Sequence, residues 1–532
     1  MLGQGNIQFG PFELDLESGE LRKDGRAVRL SPKPWKVLAL LATAPGRLIT
    51  RESIRKELWD SDIHVDFEHA LNFCIREVRT TLGDNAKEPR YIETLPRRGY
   101  RFIAPTRWSA AEAPQAESAQ APCDASRQLE AYQYYESARK SLAQSGKEAL
   151  EKARQGFKRA LEILPGYALA HSGLGATSAL CSLNRRHPDD LDTAELHLMT
   201  ALELDSELAE PYPWLCYVLM RKNRFEEAVE AGARAVQLQP DLVAGHYFLG
   251  LAYFAGAEMD AARYQNAATH LCDAIRVDPQ WQPGWFVLSD LALMVGDYRH
   301  AEFYARRLIE ISRTPKGFPF IGAELVLGSV RLRQGNIPEA RQFLIGFLEQ
   351  LAESDHMYRD AMSAAAACVL GDVELRSGEK AAALSAYRRG WHTVQEYPRI
   401  MAYQRIAERA QAGLAAAYAS VGERSRAEDL VDRVSRTTQD SESMAHNAAA
   451  ASMSEVYWTL ATAWARLGNR GRALEMLKSA VRTGWRDATW MERDPEFGSL
   501  RDDPVFRGLL SDIRAWSPVQ FDDRDGLQPV AG

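Results

Sequence analysis

Two groups of side chains stand out for the chemistry they could perform. Between Asp66 and Leu82 the apolar residues Phe67, Leu71, Cys74, Ile75, Val78 and Leu82 recur at helical spacing and form one stripe suited to a core. Asn72, Arg76 and Arg79 fall on a narrow neighbouring stripe, with His69 and Thr80 beside them. Carboxamide and guanidinium groups on an exposed helix face can hydrogen-bond adenine and guanine edges in a major groove. The second group is Arg97, Arg98 and Arg101, three guanidinium groups within five residues. Such a cluster suits phosphate or a narrow minor groove. Phe73 points nearly opposite the apolar stripe, where it could touch a thymine methyl or pack under a loop.

These side chains need a scaffold, and the flanking sequence predicts one. Residues 7 to 30 alternate as short strands, with Phe12, Leu14 and Leu16 on one face and turns at Ser18-Gly19 and Asp24-Gly25. Ser31 followed by Pro32 reads as a helix start, and Trp35, Leu38, Leu41 and Ala42 keep helical spacing until Pro45-Gly46. Thr50 caps a second short helix with Ile54 and Leu58. After Gly83-Asp84 the segment RYIETLPRRGYRFIAP predicts a hairpin, with strands at Tyr91-Ile92 and Tyr100 to Phe102 and the arginines near its tip.

Strands, three helices and a basic hairpin in this order resemble the OmpR/PhoB-type winged helix-turn-helix family across residues 7–104. The motifs LSPKPWKVLALLA, ITRESIRKELW, IREVRTTLGD and RYIETLPRRGYRFIAP carry the resemblance. It implies that the third helix enters the major groove and that the hairpin is a wing on the adjacent minor groove. Asn72, Arg76, Arg79 and Thr80 would then face the groove or its phosphates, and Arg97, Arg98 and Arg101 would form the wing contact. Residues 1–105 hold 17 basic and 15 acidic side chains, so binding would depend on local clustering of charge.

Residues 105–127 lack apolar periodicity and are rich in Ala, Pro, Gln, Glu and Ser, which predicts a flexible linker. From 128 to 515 the chain is almost continuously helix-forming and repeats. Ala153, Ala194, Ala228, Ala267, Ala301, Ala340, Ala383, Ala427 and Ala473 recur at intervals of roughly 34 to 46 residues. Leu-Gly pairs (Leu174-Gly175, Leu249-Gly250, Leu327-Gly328, Leu370-Gly371) mark preceding helices, and Pro165, Pro240 and Pro279 close units. Small residues let antiparallel helices approach, and proline cannot continue a helix. The pattern resembles the tetratricopeptide repeat family, in about nine units, with an apolar capping helix at Leu500 to Ile513 and a disordered tail over 516–532. The fold class expected is mostly α: a winged helix domain followed by an α-solenoid.

The remaining features exclude more than they propose. Six scattered cysteines without a C-x-x-C pair fit reduced thiols. No run reaches the length of a membrane span, and no signal peptide is recognisable, so a soluble, cytoplasmic chain is expected. His64 and His69 lack metal-ligand spacing, and Gly173-Leu174-Gly175 is not followed by Lys-Ser/Thr as a phosphate loop requires. Trp214, Trp285, Trp391, Trp464, Tyr253 and Tyr418 read as packing residues. With no nucleophile motif or metal constellation, no enzyme, metal or cofactor is expected. The reading is a one-component DNA-binding regulator with mild preference for activation. Its expected partners are promoter double-stranded DNA, and a protein or peptide on the repeats, with RNA polymerase and a second copy of the chain as candidates. The alternative is an interaction scaffold whose winged helix binds protein rather than DNA.

Overall fold

The computed structural model describes the chain except for residues 1–5, 17, 29, 59–66, 87–88, 96–98, 110–120, 145, 183–189, 256–260, 314–319, 357, 396–400, 443–452, 517–518 and 522–532. It divides into two units, Met1–Gln133 and Tyr134–Gly532.

The first unit opens with an antiparallel meander, β1 (Asn6–Phe9), β2 (Phe12–Asp15), β3 (Glu20–Lys23) and β4 (Arg26–Val28). Its alternation has a direct cause. Ile7 pairs with Leu14 and Phe9 with Phe12, so the four apolar side chains share one face and are all buried. The β3–β4 loop has only two residues, Asp24 and Gly25, at φ 50° and 78°. Positive φ at both positions is what a hairpin of this length demands, and Asp-Gly supplies it. Helix α1 (Pro32–Ala42), strand β5 (Leu48–Thr50) and helices α2 (Arg51–Leu58) and α3 (Phe67–Leu82) follow, then the hairpin β6 (Ile92–Leu95) and β7 (Gly99–Phe102). Thr50 caps α2 as the sequence predicts, its hydroxyl accepting from the Ser53 N–H at 3.1 Å.

Two strands escape the sequence reading. β5 pairs with β7 and makes the wing a three-stranded sheet of order β5-β7-β6. A last strand, β8 (Arg107–Ser109), pairs with β1 and completes a five-stranded sheet of order β4-β3-β2-β1-β8. Residues 107–109 are therefore part of the folded domain and not linker. Composition cannot report a backbone ladder that a distant strand supplies. The predicted linker is shortened at its other end too, because α4 (Ala121–Leu142) begins at Ala121.

Beyond α4 the second unit continues as helical hairpins. α4 precedes α5 (Lys147–Ile163), and the next pairs are α6 (Ala168–Cys181) with α7 (Asp190–Leu204) and α8 (Pro211–Arg221) with α9 (Phe225–Leu238). Then come α10 (Val243–Ala255) with α11 (Ala261–Val277), α12 (Gln282–Met294) with α13 (Tyr298–Ser312), and α14 (Ala323–Arg333) with α15 (Ile337–Ala352). The array ends with α16 (Arg359–Arg376) and α17 (Lys380–Val394), α18 (Met401–Ser420) and α19 (Arg424–Glu442), and α20 (Met453–Arg466) and α21 (Arg470–Arg482). The repeating alanines explain the stacking. All nine fall on the second helix of a hairpin, and each is fully buried. The Leu-Gly glycines face them from the first helix. A Cβ on Gly175, Gly250 or Gly328 would come within 2.6–2.8 Å of Leu198, Leu271 or Leu344, and one on Gly371 within 2.6 Å of Tyr387. Among the described residues no helix is long and apolar enough to cross a membrane.

The expected apolar capping helix is present at the C-terminal end, with Phe506, Leu509, Leu510 and Ile513 buried, while the segment after it departs from expectation. α22 (Ala488–Arg493), a 3-10 turn (Pro495–Leu500) and α23 (Pro504–Ala515) pack on the array through buried ion pairs. Asp487 accepts from Arg333 at 3.0 Å and from the Tyr298 hydroxyl at 2.6 Å, and Asp494 accepts from Arg376 at 2.6 Å. The chain then stays on the repeats where a disordered tail was expected. Trp516 meets Tyr264 edge-on, Gln520 exchanges two hydrogen bonds with the Gln265 carboxamide, and Phe521 lies against His300 and Tyr304. Two aromatic side chains and a paired backbone offset the ordering cost that low local periodicity implied. Residues 522–532 lie outside the described residues. The five described cysteines are buried and form no disulfide with one another, and burial pushes the Cys74 thiol up to about 12.

Candidate nucleic-acid interface

The local physics of α3 decides which of its side chains can meet a duplex. Leu71, Cys74, Ile75, Val78 and Leu82 are buried against α1 and the sheets, as the apolar stripe predicts. That fixes the helix rotation and leaves Asn72 and Thr80 exposed and Arg76 half-buried. Phe73 packs partly against the same core, which decides between its two readings in favour of packing. Glu77 turns the other way. Its carboxylate accepts from the Ser31 N–H at 3.0 Å and from the Ser31 hydroxyl, at the N-terminus of α1 where negative charge is favoured.

The wing is fastened to α3 by two polar devices. Asp84, just past the helix end, accepts from the backbone N–H groups of Arg90, Tyr91 and Ile92 at 2.6, 3.3 and 2.9 Å. Arg79 donates from Nη2 to the Ile92 carbonyl and to Thr94 Oγ1, both at 2.8 Å. Burial lowers its pKa from the ordinary arginine value. The sequence grouped Arg79 with the groove-facing residues. In the folded domain it is a bracket between helix and hairpin, because a guanidinium on this side of α3 lies within reach of β6 carbonyls before it reaches solvent. Gly99 completes the arrangement. At φ 149° a Cβ there would sit 2.1 Å from the Ile49 carbonyl oxygen, so only glycine lets β7 cross β5 this closely.

Between α3 and the hairpin lies a concavity of about 510 Å³, lined by Arg51, Asn72, Arg76, Arg79, Thr80 and Thr94 among others. Here Asn72 Oδ1 accepts from the Tyr100 hydroxyl at 3.1 Å, and Tyr100 accepts from Arg51 at 3.0 Å. A bidentate adenine contact uses both ends of a carboxamide. Asn72 would have to release Tyr100 to make one. Arg101 sits in the middle of β7, paired across the strand with Glu93 at 3.1 Å. Arg97, Arg98 and His64 lie outside the described residues, as does the side chain of His69. Sequence reasoning missed Arg51, Tyr100 and Asp84. Arg51 opens α2 within a motif read for its cap and its family resemblance but not for its cation, and the roles of Tyr100 and Asp84 arise from contacts with residues distant in the chain.

Residues 25–102 match the family model described as transcriptional regulatory protein, C terminal. Over 108 residues the chain is 34% identical to the transcriptional regulator HilA of Salmonella typhi, covering 20% of this chain and 19% of HilA. Over 103 residues it is 33% identical to the transcriptional regulatory protein KdpE of Mycobacterium tuberculosis, covering 19% of this chain and 45% of KdpE. The chain thus spans about a fifth to somewhat under half of the length of these relatives. Among solved structures, the DNA-binding domain of Klebsiella pneumoniae RstA in complex with RstA box is 30% identical, with 18% of this chain and 96% of that one covered and a TM-score of 0.17. The matched stretch runs from the β3–β4 turn to the end of β7 and holds α3, the wing and the two devices that join them. The N-terminal unit is a winged helix domain of the OmpR/PhoB type, and tetratricopeptide-like hairpins follow it in the same chain.

Proposed function

We propose that this chain is a sequence-specific DNA-binding transcriptional regulator, an activator whose winged helix docks on promoter DNA while the hairpin array holds a protein or peptide partner. The observation that carries the reading is the side-by-side placement of the exposed α3 face (Asn72, Arg76, Thr80) and a hairpin locked to it by Arg79 and Asp84. A surface preorganised in this way meets a groove and an adjoining phosphate strand without a folding cost. Arg76 is the α3 side chain assigned to base or phosphate, and Arg97, Arg98 and Arg101 are assigned to the wing contact. With charge nearly balanced in this domain, affinity rests on these few cations, and two domains on adjacent half-sites would add to it. RNA polymerase and a second copy of this chain are the partners the reading favours for the array.

The test is capture of genomic fragments by the full chain, followed by sequencing. The wild-type protein should enrich a discrete set of sites sharing a motif. Arg76→Ala and the triple change of Arg97, Arg98 and Arg101 to Ala should each reduce enrichment at least tenfold. Equal capture by wild type and variants would overturn the regulator reading and favour a winged helix that binds protein.

A further inference from the structure

Two hairpins of the array each bring a pair of imidazoles together. His171 Nδ1 lies 2.9 Å from His197 Nδ1 between α6 and α7, and His246 Nδ1 lies 3.3 Å from His270 Nδ1 between α10 and α11. The pairing follows from the repeat. Six residues beyond each closing proline, a ring nitrogen bonds the proline carbonyl: His171 Nε2 to Pro165 at 2.9 Å, His246 Nε2 to Pro240 at 3.0 Å, and Trp285 Nε1 to Pro279 at 3.0 Å. A carbonyl only accepts, so each histidine carries its proton on Nε2. In the neutral ring Nδ1 is then a bare lone pair aimed at the second helix.

The two pairs differ in what stands beside them. One turn after His270 comes Asp273, whose Oδ2 is 3.8 Å from His246 Nδ1. One donor atom from each of His246, His270 and Asp273 lies within 4.8 Å of the others. The matching position after His197 is Thr200, whose hydroxyl is bonded to the Leu196 carbonyl. The spacing differs as well. A separation of 2.9 Å is an ordinary N–H···N hydrogen bond, whereas 3.3 Å is beyond the best range. It equals the separation of two nitrogens on a tetrahedral zinc ion, about 3.3–3.4 Å for Zn–N bonds of about 2.0–2.1 Å.

We propose that His246 Nδ1, His270 Nδ1 and the Asp273 carboxylate form a site for a divalent transition-metal ion, Zn²⁺, that ties α10 to α11. The fourth coordination position is left to water or to a donor from a bound partner. The outer groups suit the role. The Nε2–H of His246 on a backbone carbonyl is the orienting bond that metal-bound imidazoles use. His270 is backed by the parallel ring of Tyr253, at 5.8 Å between centroids. Asp273 gives its other oxygen to Arg276, so it joins the site through Oδ2. The two histidines lie on facing helices 24 positions apart, so the set forms no linear metal motif.

The test uses the purified full chain, stripped of metal and titrated with Zn²⁺ against a chromophoric chelator, and with Co²⁺ read by visible absorption. One zinc ion should bind, with the intense absorption of four-coordinate Co²⁺. Binding should fall at least a hundredfold in His270→Gln and at least tenfold in Asp273→Asn, and remain unchanged in His197→Gln. Zinc should raise the thermal midpoint of wild type and not of His270→Gln. Should His270→Gln fail to fold, Asp273→Asn, half-exposed and isosteric, carries the comparison. No zinc binding by wild type, equal binding by both site variants, or equal loss in His197→Gln would overturn the proposal.

Discussion

Arg76 and Arg79 stand one helical turn apart on α3, share a side-chain type, and should behave in opposite ways. Arg79→Ala removes two hydrogen bonds from a half-buried cation, to the Ile92 carbonyl and to Thr94 Oγ1. Bonds to charged donors contribute about 1.5–3 kcal/mol each when well shielded. With Arg79 only partly shielded, the lower end applies, and the winged helix domain should lose about 2–3 kcal/mol. The loss should concentrate at the hairpin. Hydrogen exchange on the full chain should show faster exchange of β6 and β7 amides, with the array unchanged. Arg79→Lys should recover little, since one ammonium does not reproduce a fork on two acceptors. If Arg79 were instead a phosphate contact, its removal would leave exchange alone and lower the salt slope of DNA binding by about 0.9. For Arg76→Ala the expectations reverse: domain stability within about 0.5 kcal/mol of wild type and a reduced salt slope. Wild-type exchange in Arg79→Ala would refute the bracket.

Other perturbations test other joints. Gly99→Ala forces a Cβ onto the Ile49 carbonyl oxygen and should displace β7 from β5, seen as lost protection at Leu48 to Thr50 and lost DNA retention. Gly250→Val pushes against Leu271 and should lower array stability by about 1–3 kcal/mol in chemical unfolding, whereas Gly335→Ala, with open space around it, should act only through its positive φ. Asp487→Ala leaves Arg333 buried without its carboxylate and should cost about 3–5 kcal/mol, read as a lower unfolding midpoint. Burial, His171 and Lys158 lower the His197 pKa from its ordinary 6.5, so the native state binds fewer protons there than the unfolded chain. That contribution is full above pH 6.5 and is lost as pH falls through the lowered value. The midpoint of wild type should drop more between pH 7 and 5 than that of His197→Gln.

Much of this architecture is local, and local features are legible in sequence. The apolar stripe of α3, the Asp24-Gly25 turn, the Thr50 cap and the nine buried alanines each follow from periodicity or turn chemistry within a few residues. The helical alternation fixed which side of α3 faces the core, and therefore that Asn72, Arg76 and Thr80 lie away from it. What the periodicity left open was the fate of polar side chains near a second element. Arg79 reads as a groove-facing cation and Asp84 as a turn residue until β6 and the start of the hairpin come within hydrogen-bond reach, and Glu77 gains its role only when Ser31 does. The same holds for β8, whose ladder comes from β1, for Phe521, whose partners are on α13, and for the His246–His270 pair on facing helices. Sequence determined where the helices, turns and caps fall, because their energies depend on near neighbours. Only the tertiary structure decided what each polar group is for, because hydrogen bonds and ligand sets form between residues that the chain separates and packing joins.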